Sequence, residues 1–136
     1  LEAKQDQPHK HKRTLRWSKD DVVKVFASQL GDGERNKFMD MPASHYATCP
    51  YDLVTKNGKP VGISHYPVYT SNVRGWISLA LLDEDVATPG TEVSLTWGEP
   101  DGGSGKPTVE RHVQTEIDCT VEPCPISVSA REEYKK

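Results

Sequence analysis

From Tyr51 onward, apolar residues recur at every second position, and that period decides the fold class. The runs YDLVT (51–55) and PVGIS (60–64) flank Asn57-Gly58, the strongest short-range signal for a two-residue hairpin. TEVSLTW (91–97) alternates cleanly, with Val93, Leu95 and Trp97 on one side and Glu92, Ser94 and Thr96 on the other. VQTEIDCTV (113–121) does the same, with Val113, Ile117, Cys119 and Val121 inward. WISLALL (76–82) is apolar almost throughout, as in a strand buried on both faces. Turn clusters such as TPGT and EPCP separate the runs. Five or six short strands at this spacing predict a small closed barrel or a sandwich; of the two, a mainly β chain folded as a small Greek-key-like β-barrel of about six strands is expected.

One amphipathic α-helix is predicted ahead of the barrel. Ser18 is a good N-cap, and Asp20 and Asp21 place negative charge in the first turn, where the helix dipole favours it. Trp17 before the cap is placed to pack on Val22 as a hydrophobic staple. Val22, Phe26 and Leu30 recur every four residues, Val23 and Ala27 widen the stripe, and Gly31 and Gly33 stop the helix. Residues 1–13 are polar and basic without periodicity and read as a flexible arm or linker. His9 and His11 belong to that arm, with no carboxylate or cysteine beside them to complete a metal site. The predicted organisation is therefore an arm (1–13), a helix with its connecting segment (14–50) and a barrel domain (51–136).

The 136 residues suffice for a single domain, and a net charge of −3 makes no case for a nucleic-acid surface. No run of apolar residues is long enough to span a membrane as a helix. Cys49, Cys119 and Cys124 are odd in number and lie in no metal spacing, so they read as reduced thiols of a cytosolic protein. GEPDGGSGKPT (98–108) imitates a phosphate loop, but Pro100 stands where its first glycine belongs and Pro107 where magnesium needs a hydroxyl. A strand, not a helix N-terminus, follows it, so the stretch is a connection between strands. His65, His112, Asp118 and Cys119 are the candidates for nucleophilic chemistry, yet no local signature surrounds any of them, and Asp118 and Cys119 fall on opposite faces of one strand. The segment SHYPVYTSNVRGW (64–76), rich in aromatic residues with one arginine, suits either an interface loop or a cap on the barrel.

KNGKPVGISHYPVYTSNVRGWISLALLDEDVATPGTEVSLTW resembles the C-terminal barrel domain of the glycine-cleavage T-protein (aminomethyltransferase) superfamily. That family's hairpin, short loop, apolar strand, acidic turn and G-T-x-V appear here as NGKPVG, YTSN and ISLALLDEDVATPGTEV, with Thr70-Ser71 where the family has Ser-Pro. LRWSKDDVVKVFASQL and WGEPDGGSGKPTVERHVQTEI are similar to the branch of tetrahydrofolate-dependent O-demethylases that act on vanillate and syringate. The resemblance runs from about Thr14 to Tyr134 and implies an accessory domain that closes one wall of a folate and substrate site. It implies tetrahydrofolate as cofactor, a methoxylated aromatic acid as substrate and, as partner, an N-terminal folate-binding domain of the same polypeptide. Arg74, Tyr69 and Arg131 are the residues expected to reach the cofactor; no catalytic residue and no metal ligand is assigned. The alternative is a stand-alone binding or interaction β-barrel without a catalytic role.

Overall fold

A computed structural model of the chain describes residues 10–39, 51–103 and 110–124. Six antiparallel strands close into a barrel: β1 (Lys10–Trp17), β2 (Asp52–Lys56), β3 (Lys59–Thr70), β4 (Gly75–Asp83), β5 (Glu92–Trp97) and β6 (Thr115–Glu122). Their order around the barrel is β1-β4-β3-β2-β5-β6. Consecutive hairpins join β2, β3 and β4, and β1 returns beside β4 through a long connection, which is a Greek key. Asn57 and Gly58, both at positive φ (53° and 78°), make the tight turn between β2 and β3 as the sequence predicts. Gly62 on β3 is needed for close approach: a Cβ there would lie 2.2 Å from the Leu81 carbonyl oxygen.

One strand was hidden in the sequence. Lys10–Trp17 is not an arm running into a helix but the strand that closes the barrel, paired with β4 on one side and β6 on the other. The barrel therefore does not begin at residue 51, and the helix is inserted between its first and second strands. Composition misleads here because the strand's anchors are polar. The Lys10 ammonium meets the Asp83 carboxylate, the Arg13 guanidinium donates to the Ala87 carbonyl (2.7 Å), and Arg16 pairs with Glu122 (3.1 Å). Only Leu15 and Trp17 give it an apolar inward face.

Helix α1 (Lys19–Ser28) starts as expected, with the Asp21 amide donating to the Ser18 hydroxyl (3.2 Å). The Asp21 carboxylate then accepts from the Asp118 amide (2.8 Å) and the Ser18 amide donates to the Asp118 carbonyl (2.7 Å), tying the helix to β6. Its buried stripe is Val22 and Val25, with Phe26 packed against the core. The predicted stripe is corrected at three positions: Leu30 lies beyond the helix end, 90% exposed, Val23 is 62% exposed, and Ala27 is also exposed. The spacing 22, 25, 26 keeps one face on the barrel, whereas a four-residue repeat drifts around the helix.

Inside the barrel Trp17 stacks on Trp76 (centroids 6.0 Å apart) and meets Trp97 edge-on (5.8 Å). The indole of Trp17 donates to Ser78 Oγ (3.0 Å), which also accepts from Ser64 Oγ (2.7 Å), so these inward hydroxyls are satisfied. Val93, Leu95, Trp97, Ile117, Cys119 and Val121 point inward as the alternation predicts; Val113 does not, lying outside the strand beside Asn36. Ile117→Ala is expected to cost about 2 to 5 kcal/mol, the usual price of an unfilled cavity at a fully buried site. Denaturant melts test this, and a loss under about 0.5 kcal/mol would contradict the inward placement.

Candidate functional site

Two features at the barrel's periphery bring together residues able to bind or to hold charge. The first is a groove of about 280 Å³ between α1 and the β3–β4 hairpin. Val22, Phe26, Tyr69 and Trp76 form its walls, and Lys19 and Arg74 stand at its mouth. Segment 64–76 is thus not a loop: it is the end of β3, a tight turn over residues 71–74, and the start of β4. Tyr69 pairs with Trp76 across the two strands and packs against the core. Arg74 occupies the turn at φ 55°, a left-handed conformation that a non-glycine residue seldom takes. Among the described residues neither Lys19 nor Arg74 makes an ion pair, and no carboxylate lines the groove. This aromatic-walled slot has an almost wholly apolar lining, with two exposed basic residues at its edge, and suits the flat face of a ligand. Tyr69 and Arg74, two of the three residues expected at a cofactor, are brought together here; Arg131 lies outside the described residues.

The second feature was not anticipated. Lys37 Nζ lies 3.2 Å from Glu99 Oε2, with the two side chains 3% and 2% exposed. The Lys37 ammonium also sits 5.5 Å from the centre of the Trp97 ring, whose indole donates to the Lys37 carbonyl (2.8 Å). The Glu99 amide donates to His112 Nε2 (2.8 Å), so that nitrogen is the acceptor and Nδ1, 2.8 Å from the Glu110 carbonyl, carries the proton. His112 is therefore a buried strut and not an exposed polar residue. It lines a cleft of about 530 Å³ with Glu99, Arg35, Asp101 and Arg111. The glycines of the 98–103 stretch serve this packing: Gly98 takes φ 114° against the His112 ring, where a Cβ would crowd it. Lys106 and Pro107 lie outside the described residues.

Asp52 completes the charged group. It shares the inward parity of Val54 on β2, and burial pushes its carboxyl from the ordinary 3.8 up to about 7; the Lys37 cation opposes that rise and the Glu99 carboxylate adds to it. Between those two values the folded chain holds a proton that the unfolded chain has released, so stability falls as pH rises through this window. The gap corresponds to at most about 4 kcal/mol. Asp52→Asn should remove that slope, gaining about 1 to 3 kcal/mol over the parent at pH 8 and little at pH 4. Urea melts at the two pH values check it; a parent–variant difference that does not change with pH would contradict it.

The other chemical candidates stay apart. Cys119 is buried, which drives its thiol well above the usual range, and Asp118 on the opposite face accepts from Ser94 Oγ (3.2 Å). His65 faces outward on β3, opposite Leu79, with its ring tilted against that of Tyr66 (centroids 4.8 Å apart). Cys119 and Cys124 are free thiols, and Cys49 lies outside the described residues. Among the described residues no helix is long and apolar enough to cross a membrane.

No family model matches the chain. It is 46% identical over 134 residues to syringate O-demethylase of Sphingobium sp. (strain NBRC 103272 / SYK-6), a match covering 98% of this chain and 29% of that protein. It is 31% identical over 97 residues to sesamin methylene transferase of Sinomonas sp. (strain No.22), covering 64% of this chain and 22% of that protein. The chain is thus homologous to one segment of these proteins and spans less than a third of their length.

Proposed function

We propose that this chain is the barrel module of a cytosolic, tetrahydrofolate-dependent O-demethylase of the aminomethyltransferase superfamily, acting on a methoxylated aromatic acid. The observation that carries this reading is the 46% identity to syringate O-demethylase along nearly the whole chain. Removing a methyl group from an aryl ether needs a proton for the departing phenolate, and a placed acid is worth about 10²- to 10⁴-fold. Tetrahydrofolate, when bound, supplies the nitrogen that accepts the methyl group. Holding that nitrogen in line with the methyl carbon calls for a concave, partly dry pocket. The barrel interior is filled by its own tryptophans and aliphatic side chains, so the module contributes a wall to such a pocket rather than the pocket itself.

On this reading the groove under α1 faces the cofactor. Tyr69 offers a ring to a planar group and Arg74 a cation to its carboxylates, and Arg131 is the third residue proposed to reach the cofactor. These few contacts do not offset the cost of immobilising a ligand of that size, so the isolated chain should bind tetrahydrofolate with a Kd above about 1 mM. Amide NMR during the titration should move Tyr69, Arg74 and Val22 first, and Arg74→Ala should abolish those shifts. Shifts that spare this groove would overturn the assignment of Tyr69 and Arg74.

A further inference from the structure

WISLALL is apolar on both faces, yet the barrel covers only one of them. Trp76, Ala80 and Leu82 are buried inside, while Ile77, Leu79 and Leu81 point outward. Register extends this outer face across three strands. Ile63 lies between Leu53 of β2 and Leu81 of β4, and Val68 pairs with Ile77. Leu53 and Leu79 are 45% and 42% exposed, and the other four are half-buried. Beside them β3 breaks register between His65 and Val68 and turns Tyr66 out at φ 57°, 60% exposed. A bulky residue holds a left-handed conformation only where its surroundings impose it, and such bulges re-aim side chains at functional surfaces. Antiparallel sheets with one solvated face show polar residues there. An apolar wall in its place, interrupted by His65 opposite Leu79, is an interaction surface.

We infer that the outer face of β2, β3 and β4 is the surface on which this barrel docks against another protein layer, the polypeptide that in its relatives lies outside the matched segment. The argument rests on the reading of the chain as a module of a longer enzyme. In the Sphingobium relative the matched segment accounts for 29% of the protein, so most of that enzyme is available to cover the wall. A sheet face is the shape that a second layer of helices or strands covers.

The test replaces the matched segment of syringate O-demethylase with this chain and compares the chimera with the free chain. Leu79→Cys and, separately, Leu53→Cys are labelled with a maleimide and read peptide by peptide. Leu30→Cys, on the exposed end after α1, is the control, and hydrogen exchange at Ile117 verifies the folded barrel in both contexts. The wall thiols should react at least about tenfold more slowly in the chimera than in the free chain, and the control equally in both. Equal labelling of the wall in both contexts overturns the inference. So does protection already present in the free chain, which would mean that a second copy or the chain's own remaining residues cover the wall. Syringate turnover by the chimera separates the two ideas. An active chimera with an open wall refutes the docking face alone, and an inactive one with a protected wall refutes the proposed function alone.

Discussion

Lys37→Met should destabilise the fold by about 3 to 5 kcal/mol at pH 8, because it removes the cation that faces the buried Glu99 carboxylate at 3.2 Å. The Lys37–Glu99 pair is almost inaccessible to water, and Asp52 adds a second carboxyl to the same end of the barrel. Taking one partner away leaves the full desolvation penalty of the other, whereas removing both leaves an apolar gap that packing can fill. Lys37→Met with Glu99→Leu should therefore recover most of the loss. A buried carboxylate that has lost this cation can shed its charge by binding a proton, so the deficit of the single variant should be smaller at pH 5 than at pH 8. Guanidinium melts of parent, single and double variants at both pH values measure it. A single variant within about 1 kcal/mol of the parent at pH 8 would show that the pair is not the clamp that holds segment 35–39 across the barrel.

What was legible in the sequence, and what was not, follows from where each signal lives. The Asn57-Gly58 turn and the inward residues of β5 and β6 are encoded locally, by turn chemistry and by a period of two, and they fold as read. Strand β1 is not local in that sense: KHKR is a strand because β4 and β6 offer hydrogen bonds on both sides, a fact of the tertiary structure. The 76–82 run carried a true signal with an incomplete reading, since its second apolar face is turned outward rather than buried within the barrel. Tyr69 and Arg74 are expected at a cofactor from the resemblance, and the structure sets both on one groove, which Lys19 joins only because α1 lies over the hairpin. The Lys37–Glu99–Asp52 group joins residues up to 62 positions apart, which no spacing rule connects. Asp52 alone left a trace, a carboxylate at an inward position two residues before Val54.

Methyl transfer should depend on this segment without residing in it. The free chain has an identifiable groove wall and a filled barrel, so it should fold and yet move no methyl group from vanillate or syringate to tetrahydrofolate. Deleting the homologous segment from the Sphingobium syringate O-demethylase should lower turnover at least about 100-fold, the scale on which loss of reactant alignment is felt. Grafting this chain in its place should restore it, because 46% identity over 134 residues conserves a barrel of this size with room for surface change. Steady-state turnover of syringate by the three proteins, parent, deletion and chimera, is the most direct measurement. The chimera should act within about tenfold of the parent while the deletion stays near background. A folded chimera no faster than the deletion, or turnover by the free chain alone, would contradict the proposal that this barrel is one wall of a methyl-transfer site.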